Sequence, residues 1–158
     1  MRGRLEADRL RSRLDGIFAR VDEIEDLEAR AHFARYLCVL VSGYVERCCV
    51  ALAIEWCRKQ SSPGVQRYVN AQLDRFQNPG RQRIIDFVTA FDPQWGKLAD
   101  GFIVEARAAA LESIVARRHQ IAHGDEAGIS YAQVQQYYVA IAEVMGFLEG
   151  LFDPAPAP

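Results

Sequence analysis

The feature that most constrains this chain is the spacing of its apolar residues, which recur at intervals of three and four and nowhere alternate long enough to make a strand. From Leu5 to Leu27 the stripe runs Leu5, Leu10, Leu14, Ile17, Phe18, Val21, Ile24, Leu27, with charge on the other faces, and predicts an amphipathic helix. From about Glu28 to Lys59 the pattern is longer and more apolar. Phe33, Leu37, Val41, Val45, Leu52 and Trp56 belong to it, and it predicts a central, largely buried helix.

Punctuation divides the remainder. Ser61-Ser62-Pro63 offers an N-cap and then a proline at the first helical position, predicting a helix through about Phe76 that Asn78-Pro79-Gly80 ends. Another covers roughly Arg81 to Ala90, and Asp92-Pro93 marks the next start, with Trp95 packing inward. Gly101 to Ala122 reads as one alanine-rich helix with Gly124 as its C-terminal cap. Ser130 and Gln133 have the spacing of a capping box that opens a last helix to about Leu151. The expected fold is all-α, an up-and-down bundle of about five to six helices. At 158 residues, one core is expected. The domain reading is a single unit over 1–152, with 1–28 its N-terminal amphipathic helix and 153–158 a disordered tail rich in Pro and Ala.

Several function classes fall away at this point. Acids among the bases of the first eight residues do not match a secretory signal. The longest apolar run, Tyr36 to Val41, is about a third of the ~20 residues a bilayer span needs, so no membrane association is expected and the location is read as cytoplasmic. The four cysteines, Cys38, Cys48, Cys49 and Cys57, all fall on the second helix, point around one cylinder, and read as reduced core thiols. Net charge is −2, which argues against a wholly basic nucleic-acid binder. The charge is nevertheless polarised. Residues 58–83 carry six bases against Asp74, a net +5, and residues 124–158 carry five acids and no base. The basic stretch reads either as a solvated helical surface or as an attractor for a phosphate backbone.

Two of the three histidines, His119 and His123, lie within five positions of Arg118. Histidine exchanges protons near neutral pH, and arginine holds a permanent planar charge suited to phosphate, so the segment Arg118-His-Gln-Ile-Ala-His123-Gly124 suits phosphodiester chemistry. On a regular helix His119 and His123 share a side, whereas Arg118 and His123 are about 140° apart. Two arrangements bring them together: the backbone leaves helical geometry near Gly124, or the partner groups come from a second copy of the chain. A plainer alternative is a polar helix terminus whose histidines interact with the last carbonyls. His119 and His123 also have the spacing of two metal ligands on one helix face, but no acid lies between them, and Asp125 and Glu126 lie beyond a sharp turn, so no metal or other cofactor is expected.

The same segment resembles the R-x4-6-H signature of the HEPN superfamily, with its frequent Ala-His-Gly ending. The resemblance extends through Ser113 to His119, the Tyr137-Tyr138 helix, Arg35 to Glu46, Ser62-Pro63, Phe76 to Pro79 and Phe91 to Trp95, and is to the RiboL-PSP-HEPN subgroup over about residues 30 to 150. It implies a helical bundle that dimerises so that two motifs face each other and form one metal-independent ribonuclease site. Arg118 would hold the scissile phosphate, and His123 would act on the 2′-hydroxyl or the leaving oxygen. His119 stands where the family most often has Asn, and would orient His123, contact phosphate or transfer a proton. Arg117 and Gly124 are assigned to substrate binding. Tyr44 and Glu46 on the second helix are candidates for groups supporting the site; Glu46 would otherwise pair with Arg47 or another base. The resemblance further implies RNA as partner, a homodimer, and a toxin or defence role in which an antitoxin or other protein partner takes part. The alternative is a non-catalytic HEPN domain that binds RNA, a nucleotide or a partner protein.

Overall fold

The computed structural model describes residues 2–125 and 128–153. Glu126 and residues 154–158 of the expected tail lie outside them; Asp153 caps the last helix. Among the described residues there are seven helices and no strand: α1 (Arg2–Asp22), α2 (Leu27–Gln60), α3 (Pro63–Leu73), α4 (Arg81–Thr89), α5 (Pro93–Phe102), α6 (Glu105–Ala122) and α7 (Tyr131–Phe152). The all-α expectation holds, with one or two more helices than anticipated.

Local chemistry sets the boundaries. Asp26 accepts from the N–H groups of Glu28 and Ala29 at 2.8 and 3.1 Å, starting α2 and cutting off the first apolar stripe early. Leu27, read as the stripe's last core position, is therefore 77% exposed. Pro63 begins α3 as predicted, but the helix ends at Leu73. The one long helix expected from Gly101 is divided. α5 continues through Gly101 to Phe102, the chain breaks at Ile103 and Val104, and α6 starts at Glu105. Two arginines stabilise the break by taking carbonyls freed at the end of α5: Arg81 Nε donates to Ile103 at 2.6 Å and Arg107 Nη1 to Phe102 at 3.1 Å. The capping box that opens α7 forms as read, with Ser130 and Gln133 each accepting the other's backbone N–H at 3.2 and 3.0 Å.

The four long helices form the bundle. α1 returns antiparallel along α2, and Gly3 permits the close approach: a Cβ there would stand 2.6 Å from the Ala51 carbonyl oxygen. α7 runs parallel to α2, since Arg30 lies over the Tyr131 ring at one end and Tyr44 meets Tyr138 edge-on further along. α6 runs antiparallel to α7, with Arg107 bonded to Glu143 and Phe102 stacked on Phe147. The order α1, α2, α6, α7 is thus up-down-up-down, with α3 to α5 inserted between the second and third members.

α2 is long and apolar enough to cross a membrane by length and composition. Its apolar face is accounted for by the bundle, where Leu37, Val41, Val45 and Leu52 are almost wholly buried with Leu111, Ile114, Ile141 and Met145. Each such side chain contributes roughly 1.5–3 kcal/mol. All four cysteines are buried free thiols on this helix.

Candidate functional site

The chemistry-bearing segment occupies the last turn of α6. The helix ends at Ala122, and His123 is its C-cap, at φ −91 and ψ 2, with its N–H still donating to the His119 carbonyl at 3.1 Å. The chain then turns through the left-handed region at Gly124, where φ is +78. The Gly124 N–H donates to Ile121 at 3.2 Å and the Asp125 N–H to Gln120 at 2.9 Å, the paired bonds of a Schellman cap. His119 and His123 consequently share one face a turn apart. Arg118 stays about 140° round the helix from His123, because the backbone bends too late to swing the imidazole towards it.

Arg118 is half-buried, while His119 and His123 are exposed. None of the three side chains takes part in a hydrogen bond or ion pair among the described residues. Arg117 differs. It donates to Gln120 Oε1 at 3.0 Å and lies close enough to Cys38 on α2 for its charge to oppose the effect of burial, which pushes that thiol up to about 11. Arg117 thus faces the α2–α6 seam and not the histidine face. Gln120 was not singled out by sequence reasoning, yet its amide holds Arg117 and its carbonyl closes the cap. The Arg-x-x-Gln spacing and the glycine four positions on were the available signals.

Tyr44 and Glu46 lie elsewhere. Cys38 Sγ points to the Ile114 carbonyl, 3.9 Å away, which fixes the level of α2 that faces mid-α6. From there Glu46 is about 12 Å along α2 in one direction and Arg118 about 6 Å along α6 in the other. Neither support residue reaches the Arg118 turn. Glu46 accepts the Asn78 backbone N–H at 3.0 Å, satisfying a residue held at φ +48, and does not pair with Arg47, which pairs with Glu6. Tyr44 is buried against the α7 ring Tyr138, and its hydroxyl meets the Cys48 thiol but no nitrogen or oxygen partner among the described residues. Among the described residues no three His, Cys, Asp or Glu side chains gather as a metal would need.

A bundle of this kind, ending its third long helix on an Arg, two His and a left-handed glycine, defines a class: all-α domains that present an R-x4-6-H helix terminus. The chain matches the RiboL-PSP-HEPN family over residues 8–153 and belongs to that family, within the HEPN superfamily. Members of the superfamily are often ribonucleases. No curated protein and no solved structure matches the chain.

Proposed function

We propose that the chain is a metal-independent endoribonuclease acting as a homodimer, with Arg118 and His123 meeting across the two subunits. The observation that supports this reading lies at the end of α6: a half-buried arginine and two exposed histidines, suited to phosphate and proton transfer, have no hydrogen-bond or ion-pair partner among the described residues. Sharing the site between copies also accommodates the 140° between Arg118 and His123.

The chemistry is transesterification. The ribose 2′-oxygen forms a bond to the neighbouring phosphorus as the bond from phosphorus to the 5′-oxygen breaks. Arg118 neutralises the non-bridging oxygens, whose charge grows in the transition state. One imidazole accepts the 2′-hydroxyl proton and another proton is returned to the leaving 5′-oxygen; His123 serves one of these transfers, and in this reading His119, a turn below on the same face, serves the other. The products are a 2′,3′-cyclic phosphate and a 5′-hydroxyl, and DNA resists because it lacks the nucleophile. A toxin or defence role in the cytoplasm, with RNA as target and an antitoxin as partner, extends the same reading.

The test is incubation of purified protein with RNA in chelator. Arg118→Ala and His123→Ala should each lower cleavage by about a hundredfold or more, and unchanged cleavage in both rejects the assignment. Salt-sensitive RNA binding without product, at concentrations that secure a dimer, would favour the non-catalytic alternative.

A further inference from the structure

A cleft of about 490 Å³ opens between α3 and α4, within the roughly 300–1,000 Å³ range of small-molecule sites. Its neighbouring level on α2 is that of Val50 and Ile54, which border Leu73 and Phe76 from the other side. That is roughly 24 Å further along the bundle than the Arg118 turn. The back wall is aromatic: the Phe76 and Phe87 rings lie 4.6 Å apart, and Phe91 meets Phe87 edge-on at 5.3 Å. Tyr68 stands at the mouth, 67% exposed.

Few polar groups converge here, and their chemistry is specific. Arg83 lies over the Phe76 ring at 5.6 Å and donates to the Arg75 carbonyl at 2.6 Å, which fixes its guanidinium on the rim. Arg83 is in no ion pair among the described residues. Asp86, one turn along α4 from Arg83, has one oxygen taken by Gln82 Nε2 at 2.8 Å and the other free. Flat apolar walls, with the exposed Asp86 carboxylate and the Arg83 guanidinium at the rim, match a planar heterocycle with donor groups on its edge and an attached anion. A fatty chain or apolar peptide would leave Arg83 and the second oxygen of Asp86 unmatched.

We propose that the α3–α4 cleft binds a nucleobase together with its phosphate, with a preference for guanine. The base stacks between Tyr68 and the phenylalanine wall, its N–H edge faces Asp86, and its phosphate meets Arg83. Guanine presents two adjacent donors, which suits a carboxylate better than the single ring N–H of uracil. The site is separate from the end of α6 and does not depend on that segment cutting RNA.

Titration calorimetry on the full-length Arg118→Ala protein, which leaves RNA intact under the reading above, tests this with GMP, UMP, inorganic phosphate and a guanine-containing single-stranded RNA oligomer. Saturable binding of GMP or the oligomer is expected, and whichever binds should be weakened about tenfold or more by Tyr68→Ala and by Asp86→Asn. Ala90→Trp, which fills the cleft, should abolish it. Both Tyr68 and Asp86 are exposed, so these two variants retain the fold even if Ala90→Trp does not. Binding of GMP as tight as that of the oligomer assigns a free nucleotide, and binding of the oligomer alone assigns an RNA strand. Binding of phosphate as tight as that of GMP, binding indifferent to all three substitutions, or no saturable binding of GMP or oligomer would overturn the proposal.

Discussion

The backbone N–H of Asp125 donates to the carbonyl of Gln120 at 2.9 Å, a six-to-one bond that closes α6 directly behind His123. It requires Gly124 at φ +78, a conformation that costs an L-residue about 1–2 kcal/mol. A Cβ there would meet nothing within 4 Å, so the cost is purely conformational. Gly124→Ala is therefore expected to destabilise the protein by about 1–2 kcal/mol, read as a lower denaturant midpoint and a fall in Tm of a few degrees. An unchanged midpoint would mean that the cap is not held in solution.

That cap was legible in the sequence because a glycine just past an alanine-rich helix has one common physical use. The Ser130–Gln133 capping box was legible for the same reason: its two residues recognise each other within four positions. What stayed hidden depended on distant partners. Nothing in residues 101–104 announces that Arg81 and Arg107 will take the carbonyls there and permit a break in place of a continuous helix. Glu46 was placed beside the Arg118 motif on polarity alone, but helix register, which no single sequence reveals, sets it against Asn78. The basic run at 58–83 likewise divides only in three dimensions. Arg58 is spent on the buried Glu55 and Arg81 on Asp100, whereas Arg83 lines the α3–α4 cleft without an ion-pair partner among the described residues.

Tyr44 gives a prediction of the opposite sign. Its ring fills space beside Tyr138, but its buried hydroxyl meets only the Cys48 thiol, a weak acceptor, and no nitrogen or oxygen partner among the described residues, and burial raises the phenol far above its ordinary pKa. An unsatisfied buried hydroxyl costs about 1–3 kcal/mol. Tyr44→Phe keeps the packing and removes that cost, so it should stabilise the protein by about 1 kcal/mol in chemical denaturation. A clear loss of stability would show that the hydroxyl is bonded in solution.

Glu149 on α7 supplies a pH dependence. Burial, then the charge of Asp8, raises its pKa above the ordinary carboxylate value, against the pull of Arg4 and Arg11. A carboxyl raised in the folded state binds its proton more tightly there than in the unfolded chain. Its contribution is complete below the unfolded pKa and is lost as pH rises through the folded one. At neutral pH the ionised group is therefore a liability, and Glu149→Gln should raise Tm. The difference between variant and wild type should shrink as pH falls through the raised folded-state pKa of Glu149 and vanish below the ordinary carboxylate value. A difference that stayed constant with pH would assign the effect to packing.

Arg118 and His123 bear on the assembly directly. If each active centre pairs Arg118 of one subunit with His123 of the partner subunit, neither Arg118→Ala nor His123→Ala homodimers contain an intact centre. Mixing the two proteins in equal amounts, with time to exchange subunits, makes about half the dimers mixed. In each mixed dimer one of the two centres regains both groups, so RNA cleavage should recover to about a quarter of the wild-type rate. A site built from the Arg118 and His123 of a single chain, or one needing all four side chains, would recover nothing. Wild-type activity per chain should also fall steeply on dilution below the dimer dissociation constant. Recovery on mixing together with that dilution loss, followed by RNA electrophoresis, would support a shared centre, and their joint failure would reject it.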